Sequence, residues 1–223
     1  MKKAGDCDLK TCFLCRCSMA EWIPAVAVNR QHLAYRKGET LFREGSPATG
    51  IYFLYDGKVK VHKQWGEDKD LIVRFARTGD ILGHRGLGGN QRVYPVSATA
   101  LEDSTACYID ISFFEASLKV NPALTYKLMQ FYADELQEAE KRMRNLVHME
   151  VKSRLAEALL EISRVYNNKQ FTISRQDLAS FAGTTYETIY RIIQDFTQQQ
   201  LITTEGKTIT ILNEKKLRKT AEG

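Results

Sequence analysis

The chain has 223 residues, of which 43% are hydrophobic and 26% charged, and a formal net charge of +5. That is material for one large domain or two ordinary ones with a substantial core, and two domains are expected. No apolar run approaches bilayer-spanning length, and Asp6 and Asp8 stand where a secretion signal needs an apolar core, so a cytoplasmic protein without a membrane partner is expected.

Residues 1 to about 18 form a cysteine-rich arm, with Cys7, Cys12, Cys15 and Cys17 crowded together while Cys107 stands alone. In a reducing compartment such a cluster points to metal or redox chemistry ahead of structural disulfides. The apolar spacing from Trp22 to about Leu33 predicts a short helix. From Leu33 to about Ile111 the character changes to short β-branched and aromatic runs between turn signals, among them Lys37-Gly38, Asp56-Gly57, Thr78-Gly79-Asp80 and Gly88-Gly89-Asn90. The runs Ile51 to Tyr55 and Val59 to Val61 flank Asp56-Gly57-Lys58 and predict a hairpin. Regularly spaced strands of this kind predict an antiparallel roll or barrel.

After Asn121-Pro122 no Pro or Gly occurs until Gly183. Met129, Tyr132, Leu136, Ala139, Met143 and Leu146 recur at alternating three- and four-residue intervals, which predicts a long helix from Ala123 to about Val147 with a coiled-coil seam for a second copy of the chain. Leu124, Leu128 and Phe131 begin a second stripe that would pack on the roll. A further helix is expected from about Val151 to Tyr166, apolar at Leu155, Leu159 and Ile162.

Ile173 to Ile202 reads as two helices broken at Ala182-Gly183-Thr184. Ser174 with Asp177, and Thr184 with Glu187, each place a capping hydroxyl three residues before an acid. In the second helix Ile189, Ile192, Ile193 and Phe196 share one face, and Tyr186, Glu187, Tyr190, Arg191 and Gln194 the other. Such a front suits a major groove, where arginine bonds guanine bidentately and glutamate accepts from cytosine. An amphipathic helix with a merely solvated front has the same pattern. Ile202 to Thr204, Glu205-Gly206 and Lys207 to Leu212 predict a hairpin, completing a winged helix whose wing offers Lys207 to phosphate. Thr185 and Arg175 complete the candidate DNA-contacting set.

Taken in sequence, the roll, long helix and winged helix resemble the Crp/Fnr superfamily of bacterial transcription regulators. The residues Glu187-Thr188-Ile189-Tyr190-Arg191 resemble that family's E-T-[IV]-x-R recognition helix, and Gly38, Gly45, Gly57 and T-G-D-I-L-G at Thr78 to Gly83 its glycine framework. The resemblance implies an α+β fold with an N-terminal cyclic-nucleotide-binding-like β-roll, a double-stranded β-helix. It further implies a long dimerisation helix and a C-terminal winged helix-turn-helix. The expected domains are a sensor at 1–148 and a DNA-binding domain at 149–223. In cyclic-AMP-binding members a glutamate and then an Arg-Ser pair hold the nucleotide. Here His84 stands at the glutamate position and Tyr94-Pro95 at the Arg-Ser position, with Arg92 nearby. Without its guanidinium a phosphate pocket loses its strongest contact, so cyclic AMP is not the expected effector.

Ala100 to Ile109 is similar to the segment of the Fnr oxygen sensors that holds their fourth cluster-binding cysteine. By that resemblance Cys107 would join three of Cys7, Cys12, Cys15 and Cys17 around a four-iron four-sulfur cluster. The arm spacing departs from the Fnr pattern: C-x4-C-x2-C-x-C here, against C-x2-C-x5-C. A structural zinc on the arm cysteines, or no metal, fits the residues equally. Haem on His32, His62, His84 or His148 is a further alternative. The expected function is a homodimeric, sequence-specific transcription regulator on a near-palindromic operator, answering a redox, gas or small-molecule signal and contacting RNA polymerase. It is not expected to be an enzyme. A cupin-like metal-binding roll and a non-DNA interaction module are the alternatives.

Overall fold

The computed structural model of the chain describes residues 10–66 and 69–222. They divide into two compact units, residues 1–64 with 74–136 and residues 65–73 with 137–223.

The chain begins with α1 (Phe13–Cys17), a 3-10 turn at Ala20–Trp22 and α2 (Ile23–Asn29). Eight strands follow: β1 (Arg30–Tyr35), β2 (Thr40–Phe42), β3 (Gly50–Asp56), β4 (Lys58–Trp65), β5 (Lys69–Arg77), β6 (Ile81–Leu82), β7 (Ser97–Ala100) and β8 (Ser104–Asp110). They form two four-stranded sheets ordered β1-β8-β3-β6 and β2-β7-β4-β5, the antiparallel roll expected from the punctuation. Helices α3 (Ile111–Val120) and α4 (Pro122–His148) close this part of the chain. The core gathers Ile51 and Phe53 of β3, Cys107 and Ile109 of β8, Phe114 of α3, and Leu124 and Leu128 of α4. The second apolar stripe of the long helix therefore packs on the roll, as its spacing predicts. Phe13, Leu14 and Cys15 of the arm belong to the same cluster. The arm is docked by Phe13, whose amide donates to the Gly79 carbonyl at 3.1 Å. Asn121, fully buried, accepts from the Met19 amide at 2.9 Å, so the start of α4 and the end of the arm share one polar residue.

Two expectations are corrected here. β3 and β4 do not form a hairpin: β3 pairs with β8 and β6, and β4 with β7. Asp56-Gly57 does turn the chain, with Gly57 at φ +100° against Ser104, but it passes the chain from one sheet to the other. β3 is buried along most of its length, with Ile51 and Phe53 in the core, and its partners come from far along the sequence. The helix expected from Trp22 to Leu33 ends at Asn29. Residues Arg30–Tyr35 are instead drawn out by β8, with His32 opposite Cys107 and Leu33 opposite Ala106, so tertiary pairing overrides the local pattern. Helix α3 was not legible, although Asp110 caps it by accepting from the Ser112 amide at 2.8 Å.

The second unit contains α5 (Val151–Tyr166), β9 (Gln170–Thr172), α6 (Arg175–Ala182), α7 (Tyr186–Gln198), β10 (Ile202–Glu205), β11 (Thr208–Ile211) and α8 (Glu214–Glu222). α5 has the predicted bounds, and its Leu155, Leu159 and Ile162 are buried. β10 and β11 form the predicted hairpin, to which β9 adds an unforeseen third strand in the order β10-β11-β9. α8, also unforeseen, buries Leu217 and leaves Lys215, Lys216, Arg218 and Lys219 exposed. Among the described residues no helix is long and apolar enough to cross a membrane.

A candidate nucleic-acid interface

Local chemistry sets the helix-turn-helix. Ser174 caps α6, its hydroxyl accepting from the Asp177 amide at 2.9 Å and donating to the Asp177 carboxylate at 2.6 Å. Gly183 ends α6 in the left-handed region at φ +65°, and the Thr184 amide returns to the Ala179 carbonyl at 3.0 Å. The cap of α7 lies one residue later than the Thr184–Glu187 spacing predicts. Thr185 is the N-cap, accepting from the Thr188 amide at 3.3 Å, because the left-handed Gly183 delays entry into the helix.

Helix α7 divides as expected. Ile189, Ile193 and Phe196 are buried and Ile192 half-buried, whereas Tyr186, Glu187, Tyr190, Arg191 and Gln194 are exposed. Among the described residues, Glu187, Tyr190, Arg191 and Gln194 make no side-chain hydrogen bond or ion pair within the chain. That front is a set of donors and acceptors of the kind that reads base edges.

The wing is tied to the start of α6. Ile173 donates its amide to the Lys207 carbonyl at 3.1 Å, and Arg175 donates to the Gly206 carbonyl at 3.3 Å. Arg175 thus holds the wing turn instead of projecting freely beside Lys207, whose side chain is exposed. Sequence reasoning missed Arg154. Its guanidinium donates to the carbonyls of Ala182 at 2.9 Å, Gly183 at 3.2 Å and Met149 at 2.7 Å, bracing the turn between α6 and α7. An arginine in an amphipathic helix gives no pattern by which this could be found.

In the roll, Tyr94 stacks on Phe42 with ring centroids 4.3 Å apart. Its hydroxyl donates to the Gly50 carbonyl at 2.7 Å and accepts from the Gly50 amide at 3.2 Å. Burial pushes the Tyr94 phenol up, so it stays neutral. Together with Phe42, Val61, Arg74, His84, Arg85 and Pro95 it lines a cavity with room for about one water molecule. Arg92 lies outside that lining and pairs with Glu115 at 3.3 Å.

Cys7 lies outside the described residues. Cys15 and Cys107 are buried and Cys12 and Cys17 half-buried, all packed in one apolar cluster. The Cys107 sulfur is 3.8 Å from His32 Nδ1. Among the described residues no three His, Cys, Asp or Glu side chains come together as metal ligands, so this arrangement does not present a four-thiolate set. His32, His62, His84 and His148 lie on β1, on β4, in the 3-10 turn His84–Leu87 and at the end of α4.

A winged helix-turn-helix with an exposed polar recognition face, in one chain with an antiparallel roll, defines a class of DNA-binding regulator. Residues 32–121 match the family model of the cyclic nucleotide-binding domain, and residues 153–220 that of the Crp-like helix-turn-helix domain. The chain is 30% identical over 188 residues to the cAMP-activated global transcriptional regulator CRP of Salmonella typhimurium, covering 79% of this chain and 87% of that protein. To the fumarate and nitrate reduction regulatory protein of Vibrio cholerae it is 28% identical over 189 residues, 82% of this chain and 75% of that one. The structure of FixK2 from Bradyrhizobium japonicum superposes with a TM-score of 0.76 at 25% identity, over 86% of this chain and 96% of that one. The chain belongs to the Crp/Fnr family and is a transcription regulator with a helix-turn-helix DNA-binding domain.

Proposed function

We propose that two copies of the chain bind a near-palindromic operator, each laying α7 in a major groove. Glu187 and Arg191 read base edges, Tyr186 and Tyr190 tune specificity or touch the backbone, and Lys207 of the wing meets phosphate. The observation that carries this reading is the front of α7: polar and exposed, with Glu187, Tyr190, Arg191 and Gln194 making no side-chain bond among the described residues, on a helix whose back is fixed in the core. Arg191→Ala should cost about 1–3 kcal/mol on the preferred operator and relax discrimination at one base position. Binding of the variant to the operator and to its single-base substitutions reads this out; uniform weakening across all of them would make Arg191 a phosphate contact.

The two-fold partner is a second copy, docked on α4. Leu136 and Met143 are 61% and 64% exposed, and Met129, Ala139 and Leu146 are exposed along the same seam, a row of apolar side chains that a monomer seldom leaves in water. A changed crossing of the paired helices would re-aim both copies of α7. RNA polymerase is the expected further partner, in the cytoplasm. Two parts of the first unit are sensor candidates. The first is the small pocket beside Tyr94: Tyr94-Pro95 supplies no guanidinium, and the two that line it, Arg74 and Arg85, are paired with Glu135, which argues against cyclic AMP as its ligand. The cysteines are the second, because the arm docks beside Cys107. Cys7, Cys12, Cys15, Cys17 and Cys107 would supply the thiolates for an iron–sulfur cluster or zinc, either of which requires the arm to rearrange. Anaerobic purification with iron, sulfide and zinc analysis separates these readings.

A further inference from the structure

Glu135 of α4 lies at the centre of a polar cluster between the long helix and the roll. Arg85 Nη2 donates to its Oε2 at 2.7 Å and Arg74 Nη1 to its Oε1 at 3.3 Å, so each carboxylate oxygen has its own guanidinium. Arg74 is anchored in turn on the Ile81 carbonyl at 2.6 Å. One turn earlier on α4, the Tyr132 hydroxyl donates to the His84 carbonyl at 2.6 Å. The rings of Phe131 and Tyr132 stand edge-on to the His84 ring, with centroids 5.0 and 5.5 Å away. Three residues of one helix therefore grip His84 and Arg85, the segment that follows the Thr78 to Gly83 turn. The His84 ring is buried, among the described residues neither of its nitrogens has a hydrogen-bond partner, and Nε2 stands 3.7 Å from Glu135 Oε2. Arg74, His84 and Arg85 also line the small cavity that Tyr94 closes.

We propose that Glu135 is a built-in effector of the roll: its carboxylate neutralises Arg74 and Arg85 in place of an anionic ligand and latches α4 to the roll with no small molecule bound. The physical argument is one of charge. Two partly buried guanidiniums converging on one point require an anion between them, and the chain supplies it from the helix that bears the proposed dimer seam, one residue before Leu136. Any outside anion would have to displace a carboxylate tethered to the same fold, so α4 is set by composition and not by occupancy.

Amide hydrogen exchange of residues 124–136, measured in the full-length wild type and in Glu135→Gln, Arg85→Met and the double variant, tests the latch. Glu135→Gln should speed exchange there about tenfold, with residues 151–166 unchanged, and the double variant should be no worse than the worse single one, since both remove one interaction. Millimolar cyclic AMP or cyclic GMP should leave wild-type exchange unaltered. Wild-type exchange in Glu135→Gln, additive effects of the two substitutions, or protection of α4 by either nucleotide would each overturn the proposal. If Glu135→Gln fails to fold, Arg85→Met, altered at a third-exposed side chain, carries the same comparison. Because the latch is read without DNA, it is separable from the operator-binding reading on which its regulatory meaning rests. Wild type that selects no duplex from a random-sequence pool would sink that reading while a faster-exchanging Glu135→Gln still upholds the latch.

Discussion

His84 shows at the scale of one residue how burial and charge compete. Burial lowers its pKa most, and Arg74 and Arg85 add to that, while Glu135 opposes them, so the folded protein holds the imidazole neutral at pH 7. Its folded value lies below the ordinary 6.5, so protons favour the unfolded chain between those two values, and His84 loses stability as pH falls from about 6.5. Thermal melts should therefore drop less between pH 7 and pH 5 in His84→Gln than in wild type; equal drops would place the acid sensitivity elsewhere, for instance at His32, whose pKa burial also lowers. Glu135 works in another window. Burial alone would raise its carboxyl, but the guanidiniums of Arg74 and Arg85 hold it well below the usual range. Its stabilisation is complete above about pH 4.5 and is lost only in stronger acid. Its importance could not be read from the chain, since a glutamate on a long charged helix has the pattern of a solvated face.

At the scale of the element, the recognition turn is held from three sides. Gly183 supplies the left-handed residue, Arg154 binds the carbonyls of Ala182 and Gly183, and the Leu146 side chain lies where a Cβ on Gly183 would fall. Gly183→Ala must pay the left-handed strain and push Leu146 aside, so a loss of about 1–2 kcal/mol in stability is expected, measured by urea denaturation. Operator affinity should fall with it, because the turn sets the start of α7. An unchanged denaturation midpoint would mean that the turn adapts freely. Arg142 adds a second brace in the same unit, joining Glu138 to Glu161 of α5 and lying over the Phe181 ring of α6 at 4.5 Å. The break at Gly183 and the two faces of α7 were legible because capping and amphipathic period are local properties. The braces were not, because they join residues 19 to 39 positions apart.

For the whole molecule the proposed pairing of two copies rests on the exposed apolar row of α4. A helix of 27 residues extends about 40 Å. Replacing Leu136 and Met143 together by glutamate places like charges across any two-fold seam, and sedimentation should then show a monomer with greatly weakened operator binding. A dimer that survives both changes would move the interface elsewhere. Tyr132 belongs to this seam by spacing, yet its hydroxyl is committed to the His84 carbonyl, so it serves the roll as well.

The chain's own pattern determined the roll, the long helix with its two stripes, the bounds of α5, the wing hairpin and the face of α7, each of which rests on periodicity, turn chemistry or capping within a few residues. Tertiary structure alone decided which strands pair, why Arg30–Tyr35 extends instead of coiling, where α3, β9 and α8 arise, and that Glu135 meets two arginines beside a small pocket lined by Tyr94. The physical reason is common to all of these. Each depends on a partner distant in sequence, and the free energy of burying or pairing against that partner exceeds the local preference.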